Sequence, residues 1–105
     1  MIAMFDAAAE RYATLGLASK LPGTVIDEIW HIIDADLQGM VDLPQVLQFA
    51  LVSRSGHVTA VFDDRHDSIF EFDLPETYHR SFPETIAVLD DGQYQTMMLM
   101  DELSV

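Results

Sequence analysis

The stretch PGTVIDEIWHIIDADLQ, residues Pro22–Gln38, decides the predicted fold. Its apolar residues recur three or four positions apart over about four turns, which predicts an amphipathic helix. Trp30 lies in the middle of the apolar stripe, and because a tryptophan side chain buries up to about 250 Å², we expect it at the centre of the core. The stripe consists of Val25, Ile26, Ile29, Trp30, Ile32, Ile33 and Leu37.

The chain on either side of this helix shows short alternating runs that predict β-strands. Gln45–Val52, His57–Asp63 and Ser68–Leu74 follow one another over short polar connections, which predicts an antiparallel meander. Asp91-Gly92 joins two further runs and predicts a C-terminal hairpin, since this dipeptide favours turns with positive φ. Arg11–Leu17 is expected as a strand before the helix. We therefore expect an α+β fold, with one long amphipathic helix packed on an antiparallel sheet of about five strands.

Length and cysteine content restrict the class of protein. A chain of 105 residues is expected to form a single domain, residues 1–105, with a core that needs no disulfide or metal. The chain contains no cysteine, which excludes disulfides and thiolate zinc sites and fits a cytoplasmic protein. The N-terminus lacks the basic residues of a signal peptide, and no apolar run predicts a membrane span. Residues 1–9 are expected to form a short helix or an arm.

The composition is strongly acidic, with 18 acidic and 5 basic residues and a formal net charge of −13. Half of the residues are hydrophobic, so the carboxylates are expected on a folded surface and not in a disordered tail. Such a surface repels nucleic acids and anionic lipids and attracts basic proteins. Solubility alone is an alternative explanation for the charge.

The acidic residues are densest around one predicted strand. Glu71 and Asp73 point the same way from that strand and lie about 6.6 Å apart, and other carboxylates flank them. Duplex DNA carries one charge per about 1.7 Å of axis, so this edge could imitate a short length of nucleic acid. The expected partner-binding residues are Asp63, Asp64, Asp67, Glu71, Asp73 and Glu76.

Two groups of residues have weaker patterns for binding a cation. His31 shares a helix face with Asp27 and Asp34, a spacing that fits either a divalent metal or an ordinary solvated surface. No further ligand can be named for that group, and the solvated surface is the favoured interpretation. The turn of residues 63–67, sequence DDRHD, lacks the spacing and the central glycine of an EF-hand. No cofactor is predicted.

The sequence contains none of the common catalytic motifs. It has no cysteine nucleophile, no G-x-S-x-G motif and no serine with an evident histidine and aspartate partner. It also lacks a P-loop and a G-x-G-x-x-G motif. Paired carboxylates are uninformative in a chain this acidic. The protein is therefore predicted not to be an enzyme.

Four segments together resemble a small uncharacterised family of Firmicutes. They are RYATLGL, IDEIWHIID, DLPQVLQFAL and DDGQYQTMML, and the resemblance covers most of Arg11–Met100. The family is a domain of unknown function found in staphylococci, streptococci and lactobacilli. The resemblance implies no known activity.

Three hypotheses for function follow from these observations. The first is a non-enzymatic module whose acidic face binds a basic protein, in its narrowest form an inhibitor or nucleic-acid mimic acting on a DNA- or RNA-handling protein. The second is a small-ligand or divalent-metal-binding domain. The third is a housekeeping domain that forms a homo-oligomer through the methionine-rich last strand, which contains Met97, Met98 and Met100. The first is the working hypothesis, with no direct binding of nucleic acid or membrane.

Overall fold

The fold is built on one mixed β-sheet. The structure, a computed structural model, describes residues 4–64 and 68–103. The elements in chain order are β1 (Glu10–Ala13), α1 (Leu15–Ala18), α2 (Gly23–His31), a π-helical segment (Ile32–Leu37), β2 (Val46–Arg54), β3 (His57–Asp63), β4 (Ile69–Thr77), β5 (Thr85–Asp90), β6 (Tyr94–Leu99) and a 3-10 turn (Met100–Glu102). The six strands lie in the order β1-β6-β5-β2-β3-β4. β1 runs parallel to β6, and the other neighbouring strands are antiparallel.

The expected fold, one long helix on about five antiparallel strands, is wrong. The sheet has six strands and includes a parallel pair. The helix has nine α-helical residues, followed by six residues of π-helix. Strands β1 and β6 come from opposite ends of the chain. Because no short turn joins them, the sequence gives no local signal that they pair. Among the described residues, no helix is long and apolar enough to cross a membrane.

The helix packs its apolar stripe against one face of the sheet, as its spacing predicts. Ile29 and Ile33 are fully buried, and the inward residues of β2 and β3 pack in the same core. The alternation predicted for β2 is confirmed, and in β3 the predicted inward residues are buried, although Thr59 on the opposite side of that strand is buried as well. The buried set comprises Leu47, Phe49 and Leu51 on β2, and Val58, Ala60 and Phe62 on β3.

Trp30 is not the centre of the core, contrary to expectation. Its ring is partly buried at the edge of the core, and the guanidinium carbon of Arg11 lies 4.6 Å from the ring centroid. The fully buried ring of Phe5 contributes to the core instead. An aromatic ring in a helical stripe can cover the margin of a core as well as its centre, and the sequence pattern does not separate the two.

The two tight hairpin turns have different backbones, and the β5–β6 turn departs from the predicted one. Ser55 and Gly56 both have positive φ, 55° and 82°, and connect β2 directly to β3. This is the backbone of a two-residue turn that matches the twist of the flanking strands. In the β5–β6 turn, Gly92 has a φ of 94°, whereas the Asp91 side chain accepts hydrogen bonds from the backbone amides of Gln93 and Tyr94. Only one of the two central residues therefore has the expected positive φ, and hydrogen bonds from the Asp91 side chain help to hold the turn.

Candidate functional site

The face of the sheet opposite the helix, called here the open face, carries exposed apolar side chains. Strand register places Tyr12 beside Thr96, and Thr96 beside Leu89. Several of these side chains are exposed, including Tyr12 at 50% and Ile69 at 64%. An apolar surface of this kind is typical of a binding face. Its exposed or half-buried apolar residues are Tyr12, Val46, Ala50, Val52, Val61, Ile69, Leu89 and Tyr94.

Three of the predicted partner-binding residues lie on the open face. Glu71 pairs with Val61 across the β3–β4 ladder, and Asp73 pairs with Thr59. Asp63 pairs with Ile69 and so lies diagonally across from Glu71. All three carboxylates are exposed. The register therefore brings these acids together at one side of the open face.

Arg54 lies against this acidic group. Its Nη1 atom is 2.5 Å from Oε1 of Glu71 and 3.9 Å from Oδ1 of Asp73. Asp73 also accepts a hydrogen bond of 2.7 Å from the Thr59 hydroxyl. Because the Arg54 side chain is 52% exposed, solvent screens these ion pairs and they contribute little to stability. Glu71 and Asp73 thus contact a guanidinium group at an exposed surface.

The other predicted partner-binding residues are placed differently. Asp64 is half-buried, and its side chain accepts a hydrogen bond of 3.1 Å from the amide of Ser68. Glu76 is half-buried near the end of β4, where its Oε1 atom is buried without a hydrogen-bond partner in the described part of the chain. Asp67 lies outside the described residues. The predicted set is thus only partly assembled on one face.

Acidic residues also occur on other surfaces. Asp27 and Asp36 are exposed on the helical layer, Asp91 is exposed in the β5–β6 turn and Asp101 is exposed after β6. The negative charge therefore surrounds the protein. The open face combines carboxylates with exposed apolar side chains that come from several strands.

A pocket of about 370 Å³ adjoins the acidic side of the open face. Carboxylates line it from two directions, and Phe62 contributes an apolar wall. A pocket with this combination fits a long side chain that ends in a positive charge. Its lining residues are Asp42, Pro44, Gln45, Val46, Gln48, Phe62, Asp63 and Asp64.

The opposite side of the open face has an aromatic pair at its edge. Tyr12 and Tyr94 meet edge to face, with ring centroids 5.6 Å apart. The Tyr12 hydroxyl donates a 2.5 Å hydrogen bond to the carboxylate of Glu10. This hydrogen bond raises the pKa of Tyr12 above its ordinary value, because it stabilises the protonated phenol. The edge therefore presents two aromatic side chains in contact.

The residues of the alternative metal site are not arranged to hold a cation. Both carboxylate oxygens of Asp34 accept hydrogen bonds from Arg11, at 2.8 and 2.6 Å. The π-helical segment that contains Asp34 ends with the Gln38 amide bonded to the Ile33 carbonyl at 3.1 Å. His31 is exposed. Within residues 4–64 and 68–103, no group of three histidine or carboxylate side chains is placed to bind a metal ion.

The sequence interpretation missed Arg54, Tyr12 and Tyr94 as parts of this surface. Arg54 reaches its carboxylates from another strand of the meander, so its contact depends on the registers of β2, β3 and β4. Tyr12 and Tyr94 meet through the parallel pairing of β1 with β6, in which Tyr94 pairs with Glu10. The alternating pattern of QYQT was the only signal available for Tyr94.

Comparison with known proteins places the sequence in a family. The family model described as "Staphylococcal protein of unknown function (DUF960)" matches residues 10–102. The chain belongs to the DUF960 family. The resemblance predicted from the four segments is therefore confirmed. No curated protein matches the sequence of this DUF960 chain significantly.

A solved structure resembles the whole DUF960 chain. It is described as the crystal structure of a protein of unknown function from Enterococcus faecalis, and it aligns with a TM-score of 0.94 and 39% identity. The alignment covers 100% of both chains. The same fold is thus found in a solved protein of Enterococcus faecalis, whose description gives no activity.

Proposed function

We propose that this DUF960 protein is a non-enzymatic binding module whose open face binds a partner protein that presents arginine side chains among apolar residues. The observation that carries this proposal is the contact of Arg54 with Glu71 and Asp73. The acidic group already holds a guanidinium, so its spacing suits this group. Exposed apolar residues beside it offer area for hydrophobic contact.

The arrangement of charges favours a protein partner over nucleic-acid mimicry. Glu71 and Asp73 share the open face with Arg54 and with apolar side chains such as Val52 and Val61. Duplex DNA presents phosphates in regular rows without apolar side chains between them. A mixed surface of carboxylates and apolar groups matches the composition of protein interfaces, where arginine is enriched. The adjoining pocket offers room for a second basic side chain.

Long-range attraction is the second part of the proposed mechanism. With a net charge of −13, the protein attracts a basic partner before the surfaces touch, and salt weakens this attraction. Contact on the open face then supplies the specific part of the affinity. Long-range attraction and specific contact can be separated by two variants that lose the same number of carboxylates, one on the open face and one on another surface.

The test uses a synthetic peptide of alternating arginine and leucine, with binding measured by fluorescence anisotropy at low and physiological salt. The variant Glu71→Gln/Asp73→Asn removes both carboxylates from the open face. The matched control Asp27→Asn/Asp36→Asn makes the same change in net charge on the helical layer. Two exposed ion pairs contribute about 0.4–2 kcal/mol together, so the open-face variant is expected to bind about 2- to 30-fold more weakly.

Two further binding measurements distinguish specific contact with the open face from attraction by the net charge of the protein. Arg54→Ala removes the internal guanidinium and is expected to strengthen peptide binding, because Glu71 and Asp73 no longer hold a competing cation. Replacing leucine by serine in the peptide is expected to weaken binding through loss of apolar contact. Equal effects of the open-face variant and the helical-layer control, or unchanged affinity in Arg54→Ala, would contradict the proposed site.

A further inference from the structure

The N-terminal segment, residues 4–9 of the described chain, is attached to the protein in an unusual way. It belongs to none of the strands and precedes the family match, which begins at residue 10. Phe5 is nevertheless fully buried in the core cluster. Its φ is 60°, in the left-handed region that a phenylalanine rarely adopts. One aromatic ring therefore anchors an otherwise exposed segment.

Side chains from four other parts of the chain hold the main chain of this segment. The Phe5 amide donates to Oδ2 of Asp90 at 2.7 Å. The Phe5 carbonyl accepts from Nε2 of Gln38 at 2.7 Å and from Nη2 of Arg11 at 3.5 Å. The Asp6 carbonyl accepts from Nε2 of Gln95 at 2.8 Å. All of these hydrogen bonds are made to main-chain atoms of the segment. The Phe5 ring is its one buried side chain among residues 4–9.

Two of the four receptor residues are buried, and Arg11 is connected to one of them. Asp90 is 7% exposed and Gln95 is 0% exposed. Oε1 of Gln95 accepts a hydrogen bond of 2.8 Å from Nε of Arg11. If the N-terminal segment left without replacement, buried polar groups would lose their partners, which is unfavourable. The site therefore favours a peptide backbone as its occupant.

We propose that Arg11, Gln38, Asp90 and Gln95 form a peptide-binding site that residues 4–6 fill in the monomer and that the same residues of a second copy fill by exchange. The second copy is the occupant because it presents the same phenylalanine and the same main-chain atoms. Exchange joins two chains through their N-terminal segments. This inference is independent of the open face and of the function proposed for it.

The hinge for exchange is the short stretch between Phe5 and β1. It forms a tight turn in which the Ala9 amide donates to the Asp6 carbonyl at 3.1 Å and the Ala8 amide donates to the Asp6 side chain at 2.9 Å. Exchange of an identical segment between copies is a low-cost route to a dimer, because the exchanged segment makes the same contacts in its new position.

Hydrogen exchange on the wild-type protein tests whether the segment opens. The reference is the Leu51 amide, which lies in the central strand β2 and donates to the Glu84 carbonyl at 2.9 Å. The Phe5 amide is expected to exchange at least about 100-fold faster than the Leu51 amide, since local opening requires less free energy than global unfolding. Equal exchange rates would mean that the segment leaves only when the whole protein unfolds, and would overturn the proposal.

Native mass spectrometry on mixtures of isotope-labelled and unlabelled chains tests the second copy as occupant. Mixed dimers are expected after incubation at high protein concentration. An excess of the synthetic peptide of residues 1–9 is expected to reduce them at least about tenfold, whereas the same peptide with Phe5→Ala does not, because the buried ring supplies much of the affinity. The Phe5→Ala protein is expected to form few mixed dimers.

Several results would overturn this part of the proposal. They are an absence of mixed dimers at every concentration, equal effects of the two peptides, and unchanged dimer formation in a folded Phe5→Ala protein. If that variant does not fold, the peptide competition on the wild-type protein still decides. Peptide binding without mixed dimers would also overturn the proposed exchange between copies.

Discussion

Removing the Asp34 carboxylate is expected to destabilise the protein clearly. Asp34 accepts two hydrogen bonds from the Arg11 guanidinium, and the two side chains are 30% and 16% exposed. Breaking a fully buried pair costs about 3–5 kcal/mol, but partial exposure screens this pair. A charged hydrogen-bond partner contributes about 1.5–3 kcal/mol, so we expect Asp34→Ala to lower the free energy of unfolding by about 1–3 kcal/mol.

Urea unfolding measures this loss as a shift of the midpoint at constant slope. Asp36→Ala is the matched control, because Asp36 lies in the same π-helical segment and is exposed. Its effect is expected to stay within about 0.5 kcal/mol. The double variant Arg11→Met/Asp34→Ala is expected to lose less stability than the sum of the two single variants, since both single variants break the same pair. Equal effects of Asp34→Ala and Asp36→Ala, or additive effects in the double variant, would refute the reasoning.

Three further predictions concern other parts of the structure. Gly56→Ala is expected to cost about 1–2 kcal/mol in urea unfolding because φ is 82° there, whereas Gly23→Ala, with open space around its Cβ position, costs nothing; equal effects would contradict the turn geometry. The hydroxyl of Thr14 donates to the carboxylate of Glu102 and lowers the pKa of Glu102, so this stabilisation is present above the ordinary carboxyl pKa and is lost as pH falls through the lowered pKa. The stability difference between wild type and Glu102→Gln should therefore shrink in acid, and a difference independent of pH would contradict this. Acrylamide is expected to quench the fluorescence of the half-buried Trp30 in the folded protein, and an unquenched indole would contradict its position at the edge.

The sequence predicted the parts of the fold that local periodicity determines. The apolar stripe of the helix, the alternation of β2 and the inward residues of β3 are confirmed, because each depends on residues a few positions apart. The pairing of β1 with β6 was not predictable in this way, since it joins residues such as Arg11 and Gln95 from opposite ends of the chain. The widening of the helix into a π-helical segment also has no local signature in IIDADL.

For the candidate site, the sequence predicted only how residues of the same strand are arranged. The alternation of β4 correctly placed Glu71 and Asp73 on the same side, because side chains alternate along any strand. The contact with Arg54 needed two strand registers at once. Asp34 was assigned to a hypothetical metal group because helical spacing brings it near His31, but its partner is Arg11 on β1. Contacts between elements therefore decided the roles of Glu71, Asp73 and Asp34.

The small number of basic residues explains why single arginines matter so much in this protein. Against 18 acidic residues the chain has only 5 lysines and arginines, and the structure binds Arg11 and Arg54 to carboxylates in different settings. Arg11 is mostly buried and also contacts Gln95, so replacing it disturbs the packed interior. Arg54 is half-exposed and can leave its carboxylates with little loss of stability. If a partner's arginine displaces it, the released guanidinium returns to water, where it is well solvated. The open face can therefore exchange one arginine for another without disturbing the fold, which is the property that the proposed binding module requires.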